Sequence, residues 1–277
     1  MTNYKMGPAG WICSLLVVLF LVAPLAVIGI LGFSGSNSLT FPPPSYSMKW
    51  FNTLLSDREW RTSIGTSVQL AITSTAIGLL LGVPLALGLS RGRIGRIRAV
   101  HGLVAAPLII PTVSLAIGFY FVSAKFHQLD TLVPLVMAHV TLGLPLIVVT
   151  VLAAERSLNP QLEPAARTLG ASFSRTLVRI TLPLIAPGII AGAVFAFLAS
   201  WDDITNAVFL GTASTRPFPL KLWNSMQFEL SPIIASAAGL MSAVSLSIVG
   251  IVTAVYLARR KRMSRQMVES VVLRTGG

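Results

Sequence analysis

Two adjacent carboxylates, Asp202 and Asp203, lie at the end of a long apolar stretch and directly follow Ser200 and Trp201. Ionised side chains at membrane depth are costly unless they line water or meet a charge of opposite sign. The pair therefore predicts contact with a cation that crosses the membrane, and the Trp201 ring is suited to the same role because aromatic faces attract cations. The alternative is that the apolar segment ends earlier and both carboxylates are solvated at the outer surface.

Other chemistry is poorly represented in the sequence. Gln69 and His139 also fall inside apolar stretches, and we expect each to hydrogen-bond a neighbouring helix rather than a ligand. A single cysteine and three histidines argue against a metal site. The sequence contains no G-x-x-x-x-G-K-[ST] loop, so the chain has no phosphate cradle for ATP. We therefore predict no catalytic residue, metal or cofactor in this chain.

The composition predicts the elements that must position these side chains. Hydrophobic residues make up 54% of the 277 positions and charged residues only 11%, too few to cover the surface of a soluble domain. The apolar residues occur in runs of about 20, the length that crosses a bilayer core. The sequence thus predicts an all-α membrane protein that forms a single domain, 1–277. Six spans are expected, at about 11–33, 62–89, 101–124, 132–153, 184–204 and 233–258.

The distribution of basic residues predicts the orientation of these spans. Fifteen Lys and Arg residues fall on the side that holds Lys5, the loop after the second span, the loop after the fourth span and the C-terminal tail. Six fall on the other side. Because the side richer in Lys and Arg is normally cytoplasmic, we expect both termini in the cytoplasm. The net charge of +12 is spread over these loops beside membrane lipid, which argues against nucleic acid as a partner.

The first apolar run admits a second interpretation, a cleaved signal peptide. Its length exceeds the 7–15 residues or so of a typical signal core, and no A-x-A-like site follows before Ser34, so a membrane span is favoured.

Small residues recur every four positions in three of the predicted spans. They predict close helix packing, because in lipid small side chains allow backbones to approach. The stripes are Gly78, Gly82 and Ala86; Gly188, Gly192, Ala196 and Ser200; and Ala235, Gly239, Ala243 and Ser247.

A polar insert separates the fourth and fifth spans, at residues 159–181. Asn159-Pro160 predicts a helix start, Leu162, Ala165, Ala166 and Leu169 form one apolar stripe, and Gly170 predicts a left-handed helix end. Pro183 is expected to mark the turn into the fifth span. The insert is suited either to docking in a groove of a partner or to lying on the membrane surface with its arginines on lipid phosphates.

The spacing of the insert resembles the cytoplasmic docking loop of bacterial ABC-importer permeases. In that family an acidic-Ala-Ala triplet precedes a glycine and then Ile-x-Leu-Pro, here matched by Ala165-Ala166, Gly170 and Ile180-Thr181-Leu182-Pro183. The acidic position is Pro164 in this chain, with Glu163 immediately before it, so the docking helix is expected to start near Leu162 or to be kinked. Within the family, the second half resembles the polyamine permeases in Ser200-Trp201-Asp202-Asp203, Pro219-Leu220-Lys221-Leu222-Trp223 and Ser231-Pro232 with Ala235.

The resemblance implies a multi-pass permease of the bacterial inner membrane that does not itself hydrolyse ATP. It implies docking through Glu163, Ala165, Ala166, Leu169 and Gly170 onto one of two ATP-binding subunits, which would bind ATP and Mg²⁺. It also implies a second, homologous permease subunit and a periplasmic or extracellular substrate-binding protein. Putrescine or spermidine is the expected cargo, with an aminophosphonate, ferric ion or a sugar as alternatives. A secondary transporter or channel is the other class considered, but the sequence has no convincing internal repeat of the kind such proteins show.

Overall fold

The computed structural model describes residues 7–92, 97–228 and 231–275, and it describes no side chains for 97–98 and 259–275. Lys5, Arg93 and Arg96, which entered the charge count, lie outside the described residues. The side chains of Arg98 and of the basic C-terminal tail are likewise not described. The regular secondary structure of the described residues is helical, and turns and loops that include one isolated bridge between Ser34 and Tyr46 connect the helices. Its helices are α1 (Pro8–Gly32), α2 (Lys49–Ser56), α3 (Arg58–Ser90), α4 (Ile97–Ile109), α5 (Thr112–Lys125), α6 (Val133–Arg156), α7 (Leu162–Thr168), α8 (Phe173–Thr176), a π-helical segment (Leu177–Thr181), α9 (Leu182–Trp201), α10 (Thr205–Leu210), α11 (Phe218–Phe228) and α12 (Ile233–Thr275).

Five described helical segments are long and apolar enough to cross a membrane, and a bent pair brings the number to six if it counts as one span. The five lie at Pro8–Gly32, Arg58–Ser90, Val133–Arg156, Phe173–Trp201 and Ile233–Ala258. Each contains most of one predicted span, so the apolar runs located these elements correctly. The all-helical class and the multi-span architecture are therefore confirmed.

The predicted third span, 101–124, is not one straight helix. Ala99–Ile109 and Thr112–Lys125 meet at an angle of 98°. The break falls at Pro111, whose backbone is extended (ψ 128°) and which lacks an N–H for helical hydrogen bonding. Proline also disfavours helical geometry at the residue before it, here Ile110. The sequence located the proline but not the size of the bend.

The helices group into two compact units. One comprises Met1–Thr62 with Lys221–Leu246, and the other comprises Ser63–Leu220 with Ser247–Gly277. The first contains α1 and the beginning of α12, where Ser236 Oγ donates to the Gly32 carbonyl at 2.7 Å. The second contains α6 and α9 and every residue of the candidate site.

Small residues bring α6 and α9 together. A Cβ atom added to Gly192 would lie 2.5 Å from Thr150 Oγ1 and 2.9 Å from Ile147 Cα, and one added to Gly82 would lie 2.8 Å from Ile147 Cγ2. Two of the three predicted stripes therefore pack as expected, since close backbone approach leaves no space for larger side chains. The third is only partly packed: Ala235 is buried, whereas a Cβ on Gly239 would meet nothing within 4 Å.

Candidate functional site

The predicted docking insert is helical but begins later than the Asn159-Pro160 signal indicated. Helix α7 starts at Leu162, and Asn159 instead accepts a hydrogen bond at Oδ1 from the Gln161 N–H at 3.0 Å. Asparagine commonly forms such a local turn in place of a helix cap. The late start agrees with the alternative raised by Pro164, which occupies the first turn of α7, where proline is tolerated.

Gly170 ends α7 in the left-handed conformation that its position predicted, with φ +87°. The Gly170 N–H donates to the Arg167 carbonyl and the Ala171 N–H to the Ala166 carbonyl, both at 3.0 Å. This pair of bonds is the Schellman arrangement that satisfies the last carbonyls of a helix. Gly170 therefore fixes the direction in which the chain leaves α7.

The apolar stripe of α7 is open to the surroundings in this chain. Leu169 is 89% exposed and Leu162 is 40% exposed, Ala165 is exposed and Ala166 is half-buried. Exposed leucines beside small residues on a helix of this kind form a surface that a groove in another protein can cover.

The acid next to the triplet, Glu163, contacts its own chain. Its Oε1 accepts from Arg91 Nη2 at 2.5 Å and from Thr181 Oγ1 at 2.6 Å. Arg91 follows the end of α3, and Thr181 ends the π-helical segment before α9. We call Arg91, Glu163 and Thr181 the Glu163 cluster. Arg91 belongs to no motif that would single it out, and it is separated from Glu163 by 72 positions.

Phe173 extends this contact region. The guanidinium of Arg91 lies 5.5 Å and that of Arg167 lies 5.3 Å from the centre of its ring. Both distances are within the range of cation–π attraction. The first residue of α8 is thus joined by its side chain to the end of α3 and to α7.

The helix that follows has no turn at Pro183, which corrects the predicted boundary of the fifth span. α8, the π-helical segment and α9 are continuous from Phe173 to Trp201. The Leu182 N–H donates to the Leu177 carbonyl, the five-residue spacing of a π-helix. A π-bulge inserts an extra residue into a helix without ending it, and this one lies directly before Pro183, so the helix continues past the missing N–H of the proline.

The two carboxylates at the far end of this helix have different surroundings. Asp202 follows the last residue of α9 and is exposed. The side chain of Asp203 is 9% exposed, and its Oδ2 accepts from Asn206 Nδ2 at 2.7 Å and from the Asn206 N–H at 3.2 Å. Asp203 therefore caps α10, whereas Asp202 is free to face solvent or a ligand. Chain order alone did not distinguish the two.

Trp201 is 2% exposed and packs inside its unit. Its ring centre lies 6.2 Å from that of Phe197 and 6.0 Å from that of Phe218. The indole thus contributes to the packing that supports the carboxylates and presents little surface to a ligand in this conformation.

A buried polar network continues from Asp203 into the bundle. His139 Nε2 lies 3.2 Å from Asp203 Oδ2 without the alignment of a hydrogen bond, and its Nδ1 lies 2.6 Å from Ser200 Oγ. Ser74 Oγ contacts Ser200 Oγ at 3.2 Å. The structure confirms that His139 bonds a neighbouring helix, and it places Gln69 on the exposed surface of α3. Ser74 and Asn206 were missed, because small polar residues give no signal until their partners are known.

Comparison with known proteins gives a consistent result. The family model described as "Binding-protein-dependent transport system inner membrane component" matches residues 78–263. The putrescine transport system permease protein PotI of Escherichia coli is 29% identical over 274 residues, covering 95% of this chain and 96% of that protein. The molybdenum transport system permease protein ModB of Mycobacterium tuberculosis is 31% identical over 214 residues, covering 72% of this chain and 80% of that protein. The spermidine/putrescine transport system permease protein PotC of Escherichia coli is 26% identical over 242 residues, covering 87% and 90%.

The fold is also found in solved structures. A bacterial ABC transporter involved in the import of the acidic polysaccharide alginate matches with a TM-score of 0.69 at 20% identity, covering 91% of this chain and 94% of that chain. The alginate transporter in complex with an alginate pentasaccharide-bound periplasmic protein matches with a TM-score of 0.70. The family match and the apolar helices together show a multi-pass protein of the cytoplasmic membrane with the function class of an ABC-importer permease. The chain therefore belongs to the family of binding-protein-dependent transport system inner membrane components.

Proposed function

We propose that this chain forms half of the translocation pathway of an ATP-driven importer, with both termini in the cytoplasm and a homologous permease as the other half. The observation that carries the proposal is the family match over residues 78–263, together with similarity to PotI along 95% of the chain. A substrate-binding protein on the outer side would deliver the cargo. Two ATP-binding subunits would hold ATP and Mg²⁺ and supply the energy.

Docking of an ATP-binding subunit is proposed for the α7 surface. Leu169 supplies the most exposed apolar side chain, and Ala165 and Ala166 allow a partner to approach the backbone. Gly170 sets the angle at which this surface is presented. Closure of the paired ATP-binding subunits would displace α7, and that displacement would change the access of the pathway from one side of the membrane to the other.

A small cation, putrescine or spermidine, is the proposed cargo. An exposed carboxylate at Asp202 would lower the free energy of a cation entering a low-dielectric pathway, where an unpaired charge costs at least about 2.5 kcal/mol. Asp203 and Trp201 would support that position, Asp203 through Asn206 and Trp201 through its packing. The similarity to PotI and PotC supports the same cargo class.

A molybdenum oxyanion is the second candidate cargo. One observation favours it, the 31% identity to a molybdenum transport system permease. Asp202 discriminates between the two, because a negative side chain on the pathway favours a cation and opposes an anion.

The test is the ligand of the binding protein encoded with this chain, followed by uptake in reconstituted vesicles. The proposal expects the binding protein to capture putrescine or spermidine and uptake of that polyamine to require ATP. Capture of molybdate or a sugar would refute the polyamine cargo. ATP-independent uptake by the chain alone would refute the importer assignment.

A further inference from the structure

We infer that Glu163 is a positioning residue that connects the docking helix to two membrane helices of its own chain, rather than an acid that binds the ATP-binding subunit. The inference rests on the proposed function, since it concerns how movement of α7 reaches the membrane. It changes the role of Glu163 from an external contact to an internal one.

The geometry of the Glu163 cluster is the first support. One oxygen of Glu163 accepts both bonds, from Arg91 at 2.5 Å and from Thr181 at 2.6 Å. The side chains of Arg91 and Glu163 are 13% and 30% exposed, so the pair is partly withdrawn from water. Charge-assisted hydrogen bonds are stronger than neutral ones, and partial burial reduces their screening by salt.

The second support is that α7 has few other attachments, of which the contact of Arg167 with the Phe173 ring is one. The helix has seven residues, all of them described by the structure, and none of the seven is buried. A helix this short is unstable by itself, so its position depends on contacts to neighbouring elements. Its backbone continues into α8 through the turn at Gly170, and the guanidinium of Arg167 lies over the ring of Phe173, the first residue of α8.

The third support is that the Glu163 cluster connects α7 to the ends of two membrane helices. Arg91 lies just beyond the C-terminal end of α3, and Thr181 lies directly before α9. A force applied to α7 can therefore be passed to α3 and α9 through the Glu163 side chain, in addition to the cation–π contact of Arg167 with Phe173. The Arg91 guanidinium also lies over Phe173, so the same arginine connects α3 with α8. Loss of Glu163 would leave α7 able to bind its partner but poorly connected to α3 and α9.

Charge reversal separates the internal role from the external one. Four permeases are compared in the assembled transporter: Glu163→Arg, Arg91→Glu, the double exchange of both, and the control Glu155→Gln. Glu155 is an acid in the last turn of α6 for which the described structure has no side-chain hydrogen bond. We expect both single variants to keep co-purification with the ATP-binding subunit within twofold of wild type and to lose at least tenfold in putrescine taken up per ATP hydrolysed. The double exchange should recover most of the coupling, and Glu155→Gln should match wild type.

A second measurement is independent of the cargo. Spin labels at Ser90, the last residue of α3, and Thr168, the last residue of α7, report the distance between the two helices. We expect one narrow distance in wild type with and without ATP, a broad or shifted distribution in Glu163→Ala, and a narrow one in the double exchange.

Three outcomes would overturn the inference. The first is loss of the ATP-binding subunit from Glu163→Arg while wild type retains it, which would make Glu163 a docking acid. The second is a double exchange that is no better than the single variants. The third is a spin-label distance in Glu163→Ala as narrow as in wild type. Failure of the wild-type chain to bind any ATP-binding subunit would instead refute the proposed function.

Discussion

The contact between α6 and α9 makes a quantitative prediction for Gly188. A Cβ atom at Gly188 would lie 2.8 Å from the carbonyl oxygen of Thr150 and would also overlap Cβ of Ala154. Ordinary contact begins at about 3.4 Å, so Gly188→Ala requires α6 and α9 to separate by roughly half an ångström or more, because the Thr150 oxygen is backbone and cannot rotate away. Overpacking of this size costs about 1–3 kcal/mol in the free energy of unfolding.

The assay is thermal unfolding of the purified permease in detergent, followed by tryptophan fluorescence. With about 2–4 °C for each kcal/mol in a chain near this size, Gly188→Ala should lower Tm by about 2–12 °C. The matched control is Gly65→Ala in α3, where the new Cβ meets nothing within 4 Å. Alanine has the higher helix propensity, so that variant should unfold at or above the wild-type temperature. An unchanged or raised Tm for Gly188→Ala would refute the argument that close backbone approach holds these two helices together.

Three further predictions concern the candidate site. Gly170→Val places a branched side chain at φ +87° and should cost about 1–2 kcal/mol locally; co-purification with the ATP-binding subunit should fall, and full retention would argue against docking through α7. Asp202→Asn should reduce polyamine uptake at least tenfold, about 1.4 kcal/mol in the barrier, without lowering Tm. Asp203→Asn should also lower Tm, because it weakens the capping of α10 and the contact with His139. Equal Tm values for the two variants would contradict this difference between the carboxylates. A single cysteine at Arg175 should react with an impermeant thiol reagent only from the cytoplasmic side, and labelling from the outside would overturn the proposed topology.

The long apolar helices were predictable because a bilayer requires runs of a particular length and composition. The exact bounds of these helices were not predictable, because a proline in the sequence does not by itself show whether the helix bends, ends or continues there. Pro111 and Pro183 show the difference: both are prolines next to apolar helices, yet one lies at a 98° bend and the other lies inside a continuous helix. Which outcome occurs depends on whether neighbouring turns and helices can satisfy the freed carbonyls, and that is decided by tertiary packing.

The candidate site likewise contains some features that the sequence predicted and others that it did not. Gly170 was predicted correctly because a left-handed helix end depends on the residue itself. The partner of Glu163 was not predicted, because Arg91 is distant in sequence and only the packing of α7 against the end of α3 brings the two residues together. Asp202 and Asp203 appear equivalent in the sequence, and they differ in the structure because Asn206 bonds Asp203 and His139 lies beside it.

The continuous helix from Phe173 to Trp201 has a mechanical consequence. Its 29 residues form a rod about 44 Å long at 1.5 Å per residue, and Asp202 follows directly at the end remote from the docking insert. Such a rod acts as a lever: a tilt of about 10° about one end moves the other by roughly 8 Å at this length. The π-helical segment near its beginning is where the lever can flex. The stiffness of those five residues would then determine how much of a movement at α8 arrives at the carboxylate end.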